Sequence, residues 1–281
     1  MNETTTDTTI QQSFEVGAQP RLSVRNVAGR VAVRAGESGM IELRAVKHGR
    51  PEDIETTRIE MEQQGDHLSV VTRGVDVVFA IGRHRRQCAV DYSIVVPTGC
   101  EVEVHAVSAT VRVRDTQAPV SLETVSGIIE VVGVTGECRV KTVSGSATIG
   151  EIAGTLHGHS VSGALEINRA TLQSFDLQTV SGDIIVDTPL STGQRYHAHT
   201  VSGDLRLRVP GDTGATISLK TVSGSLRSSL PAQIRHADRR HWQGTINGGG
   251  AEVEMDSVSG DLTIELAAGE HGRPGAEGDE R

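Results

Sequence analysis

The sequence predicts an all-β fold: a β-solenoid, or parallel β-helix, whose coils of about 18–21 residues wind two facing sheets. The first observation is a Val-Ser-Gly phrase, or a near copy, that recurs eight times between His105 and Leu266. The third residues of successive copies lie 18, 18, 18, 19, 21, 21 and 36 positions apart. The second is that apolar and polar residues alternate on both sides of each phrase, which is the periodicity of strands.

A period this short leaves no room for a crossover helix, because two strands of about five residues and two tight turns already fill it. Equivalent strands therefore stack in parallel, about 4.8 Å apart, in sheets about 10 Å from each other. An aromatic content of only 2% suits the thin core between such sheets. We expect a right-handed coil, because parallel β connections have that hand in roughly 98% of cases.

The first hundred residues depart from the regular repeat and are predicted to cap the stack. Residues 1–12 are rich in Thr and are expected to form a disordered lead. Residues 13–100 are expected to form a β section that closes one end, since a bare terminal coil would expose unpaired strand edges. Within it, Asn26-Val27-Ala28-Gly29 matches the corner phrase as an early, isolated copy.

The rest of this section predicts three strands around Ile41, Ile59 and Leu68, with a short helical turn at residues 51–57. An apolar run at 75–81 and a polar loop at 83–86 then precede the next strand. The Arg and His residues at 83–86, like those at 235–241, are expected to be solvated loops rather than anion sites, because isolated basic runs are common in acidic chains.

Residues 101–267 are predicted to be the regular solenoid, with the recurring phrase as its corner. Glycine suits a sharp bend, because it adopts φ > 0 or lets the backbone pass closely. Serine can hydrogen-bond along the stack or to the turn backbone. A Thr or Ser precedes seven of the valines and is expected to stack at the same corner. The corner motif consists of Ser126, Gly127, Ser144, Gly145, Ser162, Gly163, Ser181, Gly182, Ser202, Gly203, Ser223, Gly224, Ser259 and Gly260.

The phrases Thr179-Val180-Ser181-Gly182-Asp183-Ile184 and Thr200-Val201-Ser202-Gly203-Asp204-Leu205, with the lead-in strand at 91–97, resemble the bacterial putative-adhesin family of β-strand repeat proteins. The resemblance covers residues from roughly 20 to 266. It implies the repeat fold and a domain of unknown function, with no settled activity. The adhesin label implies a surface location, which the N-terminal residues do not favour.

The last interval, between Gly224 and Gly260, is about two ordinary steps long. It predicts either a missing corner phrase or an inserted loop, and we favour a protruding loop at residues 228–250. Trp242 would pin this loop, and the final strand, Leu262–Leu266, would then lie uncapped at the end of the stack. Residues 268–281, rich in Gly and Glu, are expected to be a disordered tail.

Composition excludes several classes of function. The chain has 281 residues and a net charge of −9, which argues against nucleic-acid binding and against docking on anionic lipid. It has no apolar run near 18 residues, so we expect no membrane insertion. Residues 1–12 lack the features of a secretory signal, and the cysteines, Cys88, Cys100 and Cys138, are odd in number. A cytoplasmic protein is the natural prediction.

The strongest metal candidate is a set of outward residues on one sheet. The columns place His157, Asp176 and His197 in one vertical row and His159, Gln178 and His199 in the next. One His pair with Asp176 would form a weak three-ligand site for Zn²⁺ or Ni²⁺. An ordinary solvent-facing polar sheet explains the same residues and is favoured. We therefore predict no bound metal and no cofactor.

Asp183 and Asp204 follow successive corner glycines, so their carboxylates would lie about one strand spacing apart. That separation is close to the ~5 Å of the carboxyl pair in a retaining glycosidase. A carboxylate that caps the turn is the favoured explanation, because Asp261 repeats the choice in another coil. The serine column has no nucleophile elbow, and its repetition favours architecture over catalysis.

The sequence therefore predicts a non-enzymatic interaction or scaffold module with an unidentified protein partner. A first alternative is self-assembly, in which solenoids stack end to end into a homo-oligomer, as in bactofilin-like filaments. A second is a carbohydrate-active β-helix enzyme that uses Asp183 and Asp204.

Overall fold

The computed structural model of the chain describes residues 6–74 and 88–267. These residues form an all-β solenoid with 23 strands and one short helix, as predicted. Each coil has a first arm, which leads into the Val-Ser-Gly corner, and a second arm, which follows it. The first-arm strands are β8 (Val120–Thr124), β10 (Thr135–Thr142), β12 (Ala153–Ser160), β14 (Thr171–Ser181), β16 (Arg195–Ser202), β18 (Ala215–Ser223) and β22 (Ala251–Ser259). The second-arm strands are β9 (Ile129–Val132), β11 (Ala147–Gly150), β13 (Leu165–Asn168), β15 (Ile184–Asp187), β17 (Leu205–Val209), β19 (Leu226–Ser228) and β23 (Leu262–Leu266).

Equivalent strands pair in parallel and in the register that the repeat predicts. In the first arm, Cys138 lies beside Val120 on one side and Leu156 on the other, and all three side chains are at most 1% exposed. Apolar residues on both arms point into one shared core of Val, Ile, Leu and Ala. Because side chains alternate between the faces of a strand, the residues between them point outward in vertical columns.

Two long strands, β2 (Arg21–Gly36) and β7 (Glu101–Arg114), each run through both arms and pair in parallel along their length. The phrase at residues 26–29 therefore belongs to the stack itself, so the expectation that it is isolated is wrong. Beyond β2, the next layer contains β5 (His67–Arg73) in the first arm and β6 (Ala89–Pro97) in the second.

Antiparallel strands close this end of the solenoid. They are β4 (Arg58–Gln64), which pairs with β5, and β3 (Met40–Gly49), which pairs with β6, while α1 spans Pro51–Thr56. The strand β1 (Thr6–Glu15) pairs with β3 over ten residues. The disordered lead predicted for residues 1–12 is therefore wrong from residue 6 onward. Main-chain hydrogen bonds pair this strand with the edge of β3, and its two apolar residues, Ile10 and Phe14, pack against the core. Two apolar residues in a ten-residue strand leave little hydrophobic signal in the sequence.

Near the C-terminus, the spatial order of the coils differs from their order in the chain. β22 pairs in parallel with β16 on one side and with β18 on the other. In the second arm, β23 likewise lies between β17 and β19. The last coil therefore fills a gap between two earlier coils. The prediction that Leu262–Leu266 forms an uncapped end is wrong, because both of its edges are paired.

The insertion predicted as a protruding loop is a β-hairpin. β20 (Ala232–Ala237) and β21 (His241–Ile246) pair with each other, and β21 pairs antiparallel with β18. Trp242 lies partly buried against the core, as expected of an anchor, but it anchors a strand. The first arm thus ends in antiparallel strands at both ends of the stack.

The predictions for residues 75–81, 83–86 and 268–281 lie outside the described residues. The one helix among the described residues has six residues and is too short to cross a membrane. Cys88, Cys100 and Cys138 are all buried and free.

Candidate functional site

The Val-Ser-Gly corner separates two kinds of side chain. A Thr or Ser precedes seven of the eight valines; each of these hydroxyl residues is at most 5% exposed and points inward. Ala106 takes this place before Val107 and is 6% exposed. The valines point outward, and each is 40% to 58% exposed. In spatial order they are Val107, Val125, Val143, Val161, Val180, Val201, Val258 and Val222, which we call the valine ridge. At the standard strand spacing, eight stacked valines extend over about 34 Å.

The corner glycines are required for close approach, not for a left-handed backbone. None of the seven has a φ in the left-handed region. A Cβ on Gly145 would lie 1.9 Å from the carbonyl oxygen of Gly127, and one on Gly163 would lie 2.0 Å from that of Gly145. The recurring hydrogen bonds of the serine column use main-chain groups, as in Ser144 N–H to the carbonyl of Val125 at 2.8 Å.

The second tight turn of the coil, whose position the sequence did not mark, follows the second arm and has the same backbone conformation in four successive coils. Asp115, Gly133, Glu151 and Arg169 lie 18 residues apart and all have left-handed φ values, between 51° and 71°. Successive coils are hydrogen-bonded here too, with Gly133 N–H donating to the carbonyl of Gly150 at 3.2 Å. The four residues share no side-chain type, so no repeated letter in the sequence marks this corner.

The predicted outward columns are confirmed by the strand register. Asp176 lies beside His157 on one side and His197 on the other, and Gln178 lies likewise between His159 and His199. We call these six residues the outer patch. The two His pairs are separated by one strand, so they do not share one ion, as expected from the strand spacing.

One histidine of the outer patch forms a network that the sequence did not predict. His197 Nδ1 lies 3.1 Å from Asp176 Oδ1, and its Nε2 lies 3.8 Å from Asp256 Oδ2. Glu254 is the register partner of His197. Each of His197, Glu254 and Asp256 offers one ligand atom, and these atoms all lie within 4.8 Å of one another. Because β22 follows in the chain after the hairpin, only the changed coil order brings its two acids beside His197.

The charges of this network shift the pKa values of its acids in different directions. Partial burial raises the pKa of Asp176, but hydrogen bonds from His197 and Gln178 outweigh burial and hold the pKa below its usual range. Burial raises the pKa of Asp256 above its usual range. The hydrogen bond from Lys220 Nζ to Glu254, at 2.6 Å, lowers the pKa of the Glu254 carboxyl.

The predicted acidic pair has a structural role. The Asp183 carboxylate accepts a hydrogen bond from the main-chain N–H of Asp204 at 2.9 Å, and Asp204 accepts one from that of Asp261 at 2.9 Å. Asp261 in turn accepts from the N–H of Ser225 at 2.8 Å. Each carboxylate thus caps the main chain of the neighbouring coil, in agreement with the capping role that the sequence favoured over catalysis.

Comparisons with known proteins place the chain in a family. The family model described as Toastrack DUF4097 matches residues 20–265, which confirms the resemblance seen in the sequence. None of the curated proteins matches the chain significantly.

Solved structures resemble the chain only distantly. They include a putative adhesin from Bacteroides fragilis (11% identity, 92% of this chain and 97% of that chain covered, TM-score 0.42). A putative lipid binding protein from Parabacteroides distasonis shows 7% identity, the same two coverages and a TM-score of 0.45. A putative cell adhesion protein from Clostridium sporogenes shows 9% identity, coverages of 93% and 100% and a TM-score of 0.29. With identities and TM-scores this low, the likenesses carry no argument about function.

Proposed function

We propose, from the premise that this chain belongs to the Toastrack DUF4097 family, that it is a non-enzymatic interaction module that binds a protein partner along the valine ridge. The observation that carries the proposal is the exposure of all eight ridge valines, at 40% to 58%. An exposed threonine would give the backbone the same β-branched residue without exposing a second methyl group. A continuous line of exposed aliphatic side chains is therefore better explained by contact with a partner.

The chemistry of the ridge and of the whole chain defines the partner. The valines are bordered by the exposed serines of the corner motif, so the ridge combines an uncharged apolar line with a hydroxyl border. A protein surface that presents a row of aliphatic side chains, with polar groups at its rim, fits this arrangement. The net charge of −9 disfavours a second copy of the same chain. We therefore assign the ridge to a different protein.

The test has two steps that use the full chain. A photo-crosslinking residue is placed at Val161, in the middle of the ridge, and the protein captured in the native cell is identified. The triple substitution Val143→Thr, Val161→Thr and Val180→Thr is then titrated calorimetrically with that purified partner. Each change replaces one methyl group by a hydroxyl and removes about 0.8 kcal/mol of apolar burial. The three changes together cost about 2.4 kcal/mol, so affinity should fall by ~60-fold.

A matched control comes from the hairpin. Ile234 in β20 is 60% exposed and lies off the ridge, so Ile234→Thr should leave affinity unchanged. The triple variant should also keep the urea midpoint of the parent, because its positions are on the surface. Equal affinity of parent and triple variant, an equal loss in Ile234→Thr, or capture of a second copy at Val161 would each refute the proposal.

For each of the two alternative functions, the residues that suggested it have a different role in the structure. End-to-end assembly was inferred from an uncapped last strand, and that strand lies inside the stack. The carbohydrate-active alternative relied on Asp183 and Asp204, whose carboxylates hold the main chain of neighbouring coils. A cytoplasmic location remains part of the proposal, supported by three buried, free cysteines.

A further inference from the structure

The network around His197 has the features of a chelating site that is already oriented. An Asp176 carboxylate at 3.1 Å from Nδ1 favours the imidazole tautomer in which Nδ1 carries the proton. The lone pair is then on Nε2, on the side of Asp256. Histidine ligands in metal sites usually donate their other N–H to a carboxylate in this way, which fixes the ring orientation and increases its basicity.

The two carboxylates complete a mixed nitrogen and oxygen set. Asp256 directs Oδ2 toward His197 Nε2 at 3.8 Å, and its other oxygen, Oδ1, lies 3.9 Å from Lys220 Nζ. In a tetrahedral zinc site with bond lengths near 2.0 Å, ligand atoms lie about 3.3 Å apart. The three ligand atoms of this site lie within 4.8 Å of one another, so shifts on the order of 1 Å are sufficient. The side chains are 25% to 50% exposed, which leaves them free to make such shifts.

A cation already occupies part of this environment. Lys220 Nζ lies 2.6 Å from Glu254 Oε1, so its ammonium group partly neutralises the two acids. A divalent ion would compete with this ammonium and would carry twice its charge at a shorter distance. Lys220 therefore sets the affinity of the site without being one of its ligands.

We infer that His197, Glu254 and Asp256 form a binding site for a divalent transition metal, with Asp176 as the residue that positions His197. One imidazole with two carboxylates, and room for solvent ligands, suits Zn²⁺, Co²⁺ or Ni²⁺ better than Mg²⁺, which prefers oxygen ligands alone. The site lies where β16 and β22 meet, so an ion there would join the inserted last coil to the coil before it.

The test measures binding of Co²⁺ to the full chain by visible absorption, and of Zn²⁺ by titration calorimetry. The parent protein should bind one ion saturably. His197→Ala should abolish this binding, and Asp176→Asn should weaken it by roughly 10- to 100-fold, as outer partners of metal ligands usually do. Lys220→Met should strengthen binding, because it removes the competing ammonium.

The chain offers two matched controls. His199 lies two residues away on the same strand and faces outward, and His157 belongs to the other His pair. Neither is one of the proposed ligands, so His199→Ala and His157→Ala should bind the ion like the parent. Circular dichroism should show that every variant is folded. The inference is overturned if the parent binds the metal ion no more tightly than His197→Ala does, or if either control variant loses as much affinity for the ion as His197→Ala.

Discussion

The corner glycines allow a sharp test of how the coils are packed. A Cβ added to Gly163 would lie 2.0 Å from the carbonyl oxygen and 2.7 Å from the carbonyl carbon of Gly145. Both are main-chain atoms in the neighbouring coil, so no side chain can rotate to relieve the overlap. Gly163→Ala must therefore move the two coils apart by about 1 Å to restore an ordinary contact.

The expected cost has two parts. Overpacking of a close-packed contact costs roughly 1–3 kcal/mol. The shift also strains the neighbouring main-chain bonds, Ser162 N–H to Val143 and Ser181 N–H to Val161, both 2.8 Å long. Each contributes about 1 kcal/mol. We expect Gly163→Ala to lower the free energy of unfolding by about 3 kcal/mol or more.

Urea denaturation followed by circular dichroism measures this loss, and the urea midpoint should fall by about 1 M. Gly99→Ala is the matched control. A Cβ there meets nothing within 4 Å and φ is ordinary, so this change should be neutral or stabilise by about 0.4–1 kcal/mol. If Gly163→Ala unfolds at the same urea concentration as Gly99→Ala, close approach of the coils is not the reason for glycine at this corner.

Three further predictions concern buried and turn residues. The hydroxyl of Thr142 is buried with no hydrogen-bond partner among the described residues, so Thr142→Val should stabilise by about 1 kcal/mol. In Thr221→Val, by contrast, the 3.3 Å hydrogen bond from the hydroxyl to the carbonyl oxygen of Gly260 is lost. Urea denaturation should therefore show a lower free energy of unfolding than that of the parent. Burial raises the pKa of Cys100 and of Cys138 to about 12. At pH 8 both thiols should therefore react with a disulfide reagent on the order of a thousandfold more slowly in the folded than in the unfolded chain. Equal reaction rates in the two states would contradict this prediction. Hydrogen bonds from main-chain N–H groups of its own turn lower the pKa of Asp238 to about 2. In an NMR titration the chemical shift of its carboxyl carbon should therefore change around pH 2. The depressed pKa means that this carboxylate stabilises the fold above about pH 4, and the effect is lost as the pH falls toward 2; titration near 4 would contradict it.

The sequence alone determined the coil and the direction of its side chains. Alternation along each strand admits one register, because a shift by one residue would turn Leu156 or Val140 to solvent and polar neighbours to the core. The same logic placed Asp176 between His157 and His197, and the register confirms this. The outward columns of the outer patch were therefore predictable in full.

The tertiary structure decided the order of the coils and, with it, the members of the proposed metal site. Every coil carries the same corner phrase and a similar inward column, so β22 fits beside β16 as well as β18 would. In the structure the hairpin β20–β21 pairs with the outer edge of β18, and β22 pairs between β18 and β16. No local sequence pattern predicts which of these equivalent strand edges β22 pairs with. The acids of β22 meet His197 only because hydrogen bonds between distant strands settle which coil lies next.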